Sequence, residues 1–188
     1  MGIFSRGAAV PPPPLDLPYD PTSLEGLAAR WMRWVAGIGP MHNPISDTTG
    51  DDAAIDQPGD VWFLAGTFGG AATRRVTVPA GVPILLPAFN MWQFPTADPP
   101  EPVPGAFGRV ELDATPVETV LVSTPVPFLV QGARLNPVTR TRKPLPAVVT
   151  GWWALIDPLA PGEHLLHATG GDGGGFEVDV TVHLTVAP

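Results

Sequence analysis

Residues 176–186 alternate without interruption: Phe176, Val178, Val180, Val182, Leu184 and Val186 are apolar, and Glu177, Asp179, Thr181, His183 and Thr185 between them are polar. Successive side chains of a strand point to opposite faces, so this pattern requires one buried and one wetted face. Antiparallel sheets with a solvated outer side produce it, whereas parallel strands covered on both faces read as continuous apolar runs. Shorter strand-like runs precede it at close intervals, over 61–67, 74–78, 82–87, 109–113, 118–123, 128–131, 148–156 and 163–169. This spacing predicts a mainly β fold, an antiparallel β-sandwich of Ig-like or jelly-roll-like type whose last strands form a meander.

The 26 prolines and 21 glycines among 188 residues agree with many short strands and turns, because proline cannot donate to a ladder and glycine weakens element interiors. One helix is expected before them. Thr22, Ser23, Leu24 and Glu25 form a capping-box pattern. Leu24, Leu27, Ala28, Trp31, Trp34, Val35 and Ile38 then follow the 3.6-residue period, with Gly39 and Pro40 as a stop. The spacing predicts an amphipathic helix over 22–38 that covers an apolar end or face of the sandwich, with Trp31 and Trp34 in the core. Upstream, Pro11 to Pro14 favour the extended polyproline conformer, which has little entropy left to lose on docking. Residues 1–20 therefore read as a Pro-rich arm and 21–188 as a single domain. Leu15, Leu17 and Tyr19 are the arm's apolar anchors, expected to bind a protein partner such as a neighbouring subunit.

A net charge of −8 opposes binding to phosphate backbones, so nucleic acid is not expected as a partner. There is no cysteine, hence no thiol chemistry, cysteine zinc site or disulfide. The stretch 1–10 lacks the continuous apolar run of a secretory signal, and no run is long enough to span a membrane.

Candidate chemistry is thin. Asp47, Asp51, Asp52, Asp56 and Asp60 crowd one loop, but their spacing is not that of an EF-hand, and Asx-turns account for most loops of this kind. His164 and His167 are an odd number of positions apart and should face opposite sides, leaving only a cross-strand partnership of one of them with His183. Ser46 and Ser123 lie in no nucleophile elbow, and Ser23 belongs to the helix start. Arg134, Arg140, Arg142 and Lys143 form a basic patch that reads as a solvated loop, and residues 170–175 as a glycine-rich hairpin without a phosphate-binding lysine. No catalytic residue, metal ligand or cofactor-binding residue is assigned, and no cofactor is expected.

Residues 62–70, Trp-Phe-Leu-Ala-Gly-Thr-Phe-Gly-Gly, follow a loop holding Asn43-Pro44 and Asp47-Thr48-Thr49-Gly50. With Thr77-Val78-Pro79-Ala80-Gly81, Leu86-Pro87-Ala88-Phe89-Asn90, Gly151-Trp152-Trp153 and Pro161-Gly162-Glu163-His164, this set resembles uncharacterised, usually exported bacterial β-rich proteins. The resemblance covers most of the chain and implies the fold rather than an activity, since that family has no established one. It also implies cysteines at two positions occupied here by Ala53 and Val76. Their joint replacement by small apolar residues fits maturation in a reducing compartment, the cytosol.

The expectation for function is accordingly a non-enzymatic structural or interaction protein, homo-oligomeric or docked on a larger assembly, and not a membrane protein. A cytoplasmically assembled particle would suit it, for example as an accessory or decoration protein of a bacterial virus virion. The alternative is a ligand- or carbohydrate-binding β-sandwich module in which Trp92, Trp152 or Trp153 supplies a flat apolar platform.

Overall fold

The computed structural model describes residues 16–94 and 103–188. Helix α1 (Leu24–Gly37) starts at Ser23, whose backbone is extended and whose Oγ accepts the Gly26 N–H at 3.1 Å. The expected capping box does not form. With Ser23 as the cap, Glu25 falls at the second helical position, one short of the site from which it could reach back. Asp20 accepts the Thr22 N–H and hydroxyl instead, at 2.8 and 2.7 Å.

Ten strands follow among the described residues: β1 (Trp62–Phe63), β2 (Gly70–Pro79), β3 (Ile84–Gln93), β4 (Phe107–Leu112), β5 (Thr115–Val117), β6 (Val120–Ser123), β7 (Phe128–Val130), β8 (Leu145–Ile156), β9 (Gly162–Gly171) and β10 (Glu177–Ala187). They form two sheets. The first runs β1-β3-β8-β6, with β7 also on β8, and the second runs β2-β10-β9-β4-β5. The described residues are thus mainly β, with two sheets and one α-helix.

Two pairings depart from the antiparallel expectation: β1 runs parallel to β3, and β10 runs parallel to β2 from Val178↔Gly70 to Ala187↔Pro79 while lying antiparallel to β9. Alternation in β10 reports a buried and a wetted face, and that is silent on the direction of either neighbour. The short β5 is absent from the sequence reading. It follows the two-residue turn Asp113-Ala114, both at positive φ (51° and 61°), a conformation usually signalled by glycine or asparagine.

Burial is layered. Trp31, Met32 and Val35 of α1 pack with Leu85, Val122, Phe128 and Trp153 on one side of the first sheet. On its other side Ile84, Leu86, Ala154 and Ile156 share an apolar cluster with Val110, Leu166, Val180, Val182 and Leu184 of the second sheet. Trp31 and Trp34 are both buried, with indole N–H groups donating to the carbonyls of Leu64 and Ile55 at 2.8 Å each. Val178 through Val186 are buried at alternate positions, but Phe176 lies before β10 and is 37% exposed.

The β3–β8 register shifts between Pro87 and Phe89, so one extra residue bulges out of β3. Ile84 through Phe89 are all buried, and beyond the bulge Asn90, Met91 and Trp92 line a cleft.

Candidate functional site

Three parts of the chain supply most of that cleft, which encloses about 300 Å³, and Trp31 of α1 and Ile45 complete its lining. The segment after β1 contributes Gly66, Thr67 and Phe68; the bulged stretch of β3 contributes Pro87 through Trp92; the β9–β10 hairpin contributes Asp172 and Phe176. Aromatic rings form the rim in two pairs, Phe68 with Trp92 (centroids 6.3 Å apart, near-perpendicular) and Phe89 with Phe176 (6.1 Å).

Local chemistry explains why these loops hold their shape. The segment after β1 leaves the sheet with carbonyls that need donors, and a buried arginine supplies them. Arg74, 4% exposed, donates to the carbonyls of Ala65 and Gly66 and, through Nε at 2.8 Å, to that of Asp47. Gly69 follows at φ 109°, where a Cβ would stand 3.2 Å from the Phe176 ring. In the hairpin, Asp172 Oδ1 accepts the N–H groups of Gly174 and Phe176 at 2.7 and 3.0 Å. Those two donors, Gly174 first, hold the Asp172 carboxyl below the usual carboxylate range.

One polar atom in the cleft is unmatched. Asn90 Nδ2 is buried and has no hydrogen-bond partner, and Asn90 lines the cleft. A buried donor without an acceptor is costly, and because Nδ2 is closed to solvent a ligand oxygen reaches it only when the Asn90 side chain turns toward the cleft.

Of the candidate binding residues read from the sequence, Trp92 lines the cleft and the others fall elsewhere, while Trp31, Phe176 and Val178, read there as core, line it too. Trp153 is buried against Trp31, with centroids 5.4 Å apart, and is unavailable as a platform. Trp152 is half-buried, its indole N–H donating to the Ala106 carbonyl at 3.2 Å. Leu15 lies outside the described residues, whereas Leu17 and Tyr19 are partly buried against the helix layer of their own chain. The Tyr19 hydroxyl donates to the Val126 carbonyl at 2.6 Å and accepts the Val126 N–H at 2.7 Å. The end of the arm is therefore part of this body, a difference from its reading as an assembly element alone.

The aspartates are committed locally. Although burial works against it, N–H groups of Gly50, Thr49 and Asp52 hold the Asp47 carboxyl below its ordinary range, and Asp52 and Asp60 face His42 and Arg30. The loop lies against the edge of β2, where the Arg75 N–H donates to the Thr49 carbonyl at 2.8 Å. Among the described residues no three histidine or carboxylate side chains gather as a metal site. His164 faces Asp113 and His167 faces Asp179, at 2.7 and 2.9 Å, while His183 lies opposite Leu165, so neither pairs with it. Arg134, Arg140, Arg142 and Lys143 are exposed in the loop before β8. Ser123 Oγ is hydrogen-bonded to Thr150. Ala53 and Val76 are buried and line one small cavity together with Arg74.

Sequence reasoning did not assign Phe68, Phe89, Asn90, Asp172 or Phe176 to a binding site. The available signal was that three of its motifs, 62–70, 86–90 and the glycine-rich hairpin, each supply part of the cleft. No family model, no curated protein and no solved structure matches the chain.

Proposed function

We propose that this protein is a non-enzymatic interaction module, a β-sandwich body that takes an apolar group of its partner or ligand into the aromatic cleft. The cleft carries this reading: it is concave, apolar, at the small end of ligand-sized volumes, and built by three chain segments rather than by one loop. A carbohydrate fits it less well, since each sugar hydroxyl needs a polar partner and the non-aromatic polar side chains here are Thr67, Asn90 and Asp172. The Thr67 hydroxyl is already engaged with Gly69 and Gly70.

Titration with the neutral fluorophore N-phenyl-1-naphthylamine tests the proposal. Saturable binding at one site is expected, weakened about tenfold by Phe68→Ala or Trp92→Ala, each of which removes one aromatic contact face. Phe68 is 45% exposed, so its variant should melt close to the parent, whereas Trp92 packs partly against the helix layer and its variant should melt lower. Absence of saturable binding, or binding indifferent to both changes, would refute the reading.

Assembly into an oligomer or a larger particle such as a virion is a second reading, favoured by a different surface. Val120, Leu121, Val126 and Leu129, 39 to 52% exposed, lie along the β6–β7 side of the first sheet, where no further strand pairs among the described residues. Sedimentation equilibrium of the Leu121→Lys/Leu129→Lys variant decides it: the expected outcome is a shift from oligomer to monomer, and a parent that is already monomeric excludes it.

A further inference from the structure

The cleft's charge is as informative as its shape. Among the described residues its lining holds one carboxylate, Asp172, and no lysine or arginine, within a chain of net charge −8. Arg74, whose guanidinium binds the Gly66 carbonyl, does not line it. An anionic ligand would enter against this field, whereas a cation is drawn toward it. The rim adds a second preference for positive charge. Phe68, Trp92 and Phe176 are partly exposed there, with Phe89 buried beside Phe176, and aromatic faces are negative and attract a poorly hydrated cation at close range. Asn90 adds a third preference, because its enclosed Nδ2 lacks an acceptor and gains one when the side chain turns toward a ligand oxygen in the cleft.

We infer that the cleft binds an organic cation: an alkylated ammonium on an apolar body that also carries a carbonyl or ether oxygen, with the ammonium at the aromatic rim beside Asp172 and the oxygen on Asn90. The inference rests on the proposed binding role of the cleft and adds the chemical class of what is bound. A strongly hydrated small cation does not meet these terms, since the apolar walls cannot replace its water. An alkylated ammonium spreads its charge over methyl groups and gives up less on entering.

Isothermal titration calorimetry with benzoylcholine, its neutral carbon isostere 3,3-dimethylbutyl benzoate, and benzoate tests this. The three share an aromatic carbonyl body and differ in charge. Benzoylcholine should bind about tenfold more tightly than the isostere, with the Asp172 carboxylate contributing most of the preference and the partly exposed rings about twofold, and benzoate should not bind. Asp172→Asn keeps an oxygen for the hairpin N–H groups, so the turn should persist. It should bring benzoylcholine to within about twofold of the isostere, while Asn90→Ala weakens both ligands alike. Equal affinity of benzoylcholine and the isostere, or a ratio unchanged by Asp172→Asn, overturns the cation assignment and leaves an apolar cleft. If neither compound binds and the neutral fluorophore also fails, the binding role itself is wrong.

Discussion

Asn43 and Asn136 lie far apart in the chain and satisfy the same helix end. Each is 1% exposed, and each Nδ2 donates to the carbonyls of both Val35 and Ile38, at 2.7 and 3.0 Å from Asn43 and 2.9 and 2.6 Å from Asn136. Carbonyls in the last turn of a helix lack intrahelical donors, and here two buried amides supply them. His164 has a comparable arrangement on the surface of the second sheet. Its Nδ1 meets Asp113 and its Nε2 meets the Ala160 carbonyl at 3.0 Å. A carbonyl only accepts, so Nε2 carries a proton, and protonating Nδ1 as well creates a cation facing a carboxylate. Asp113 first, then Ala160, raise the His164 pKa above its ordinary 6.5, and the His164 and Leu165 bonds lower that of Asp113. The charged histidine is thus favoured in the folded state. Its contribution is complete below about pH 6.5 and is lost as pH rises through the elevated value; the Asp113 contribution is lost as pH falls through the lowered one. NMR titration should place the His164 midpoint above 6.5 in the parent and lower it in Asp113→Asn, while an unmoved midpoint would show that the pair is not coupled.

At the scale of elements, β10 and α1 carry the most testable statements. Val180 is 3% exposed on the face shared by the two sheets, and Thr181 sits on the outer face opposite His167. Val180→Asp should prevent folding, because an unpaired buried carboxylate costs several kcal/mol against a domain stability of roughly 5–15 kcal/mol. Thr181→Asp should change stability by no more than about 1 kcal/mol. Equal melting temperatures for the two variants would contradict the assignment of faces. In α1, Gly26 is the residue whose absent side chain matters. A Cβ there would stand 1.9 Å from the Asp20 carbonyl oxygen, a backbone atom that cannot swing aside. Gly26→Ala should therefore destabilise by about 1–3 kcal/mol despite alanine's better helix propensity, and a gain in stability would show that the chain before the helix yields.

For the molecule as a whole, the arm is the part whose removal is most informative, because Leu17 and Tyr19, expected to serve a partner, also pack on this body. Removing residues 1–19 takes away the Tyr19 bonds to Val126 and the packing of Leu17 on the helix layer, so it should lower the melting temperature. Tyr19→Phe isolates the hydroxyl and should account for about 0.5–1.5 kcal/mol of that loss. A truncated chain that melts with the parent would return the arm to a role outside this body. Sequence alone determined the mainly β class, the place of nearly every strand, the helix and the burial of Trp31 and Trp34. Those properties follow from periodicity, and periodicity is local: it records which side of an element meets water. It left undetermined the parallel pairing of β2 with β10, the β3 bulge, and the split of the adjacent Trp152 and Trp153 between a half-buried and a fully buried site. The cleft was decided in the same way. Phe68, Asn90 and Asp172 carry no shared spacing in the chain, and only the meeting of three segments turns two aromatic pairs, one amide and one carboxylate into a single surface. Strand direction, register and the convergence of distant loops depend on contacts between elements, which a residue's sequence neighbours do not encode.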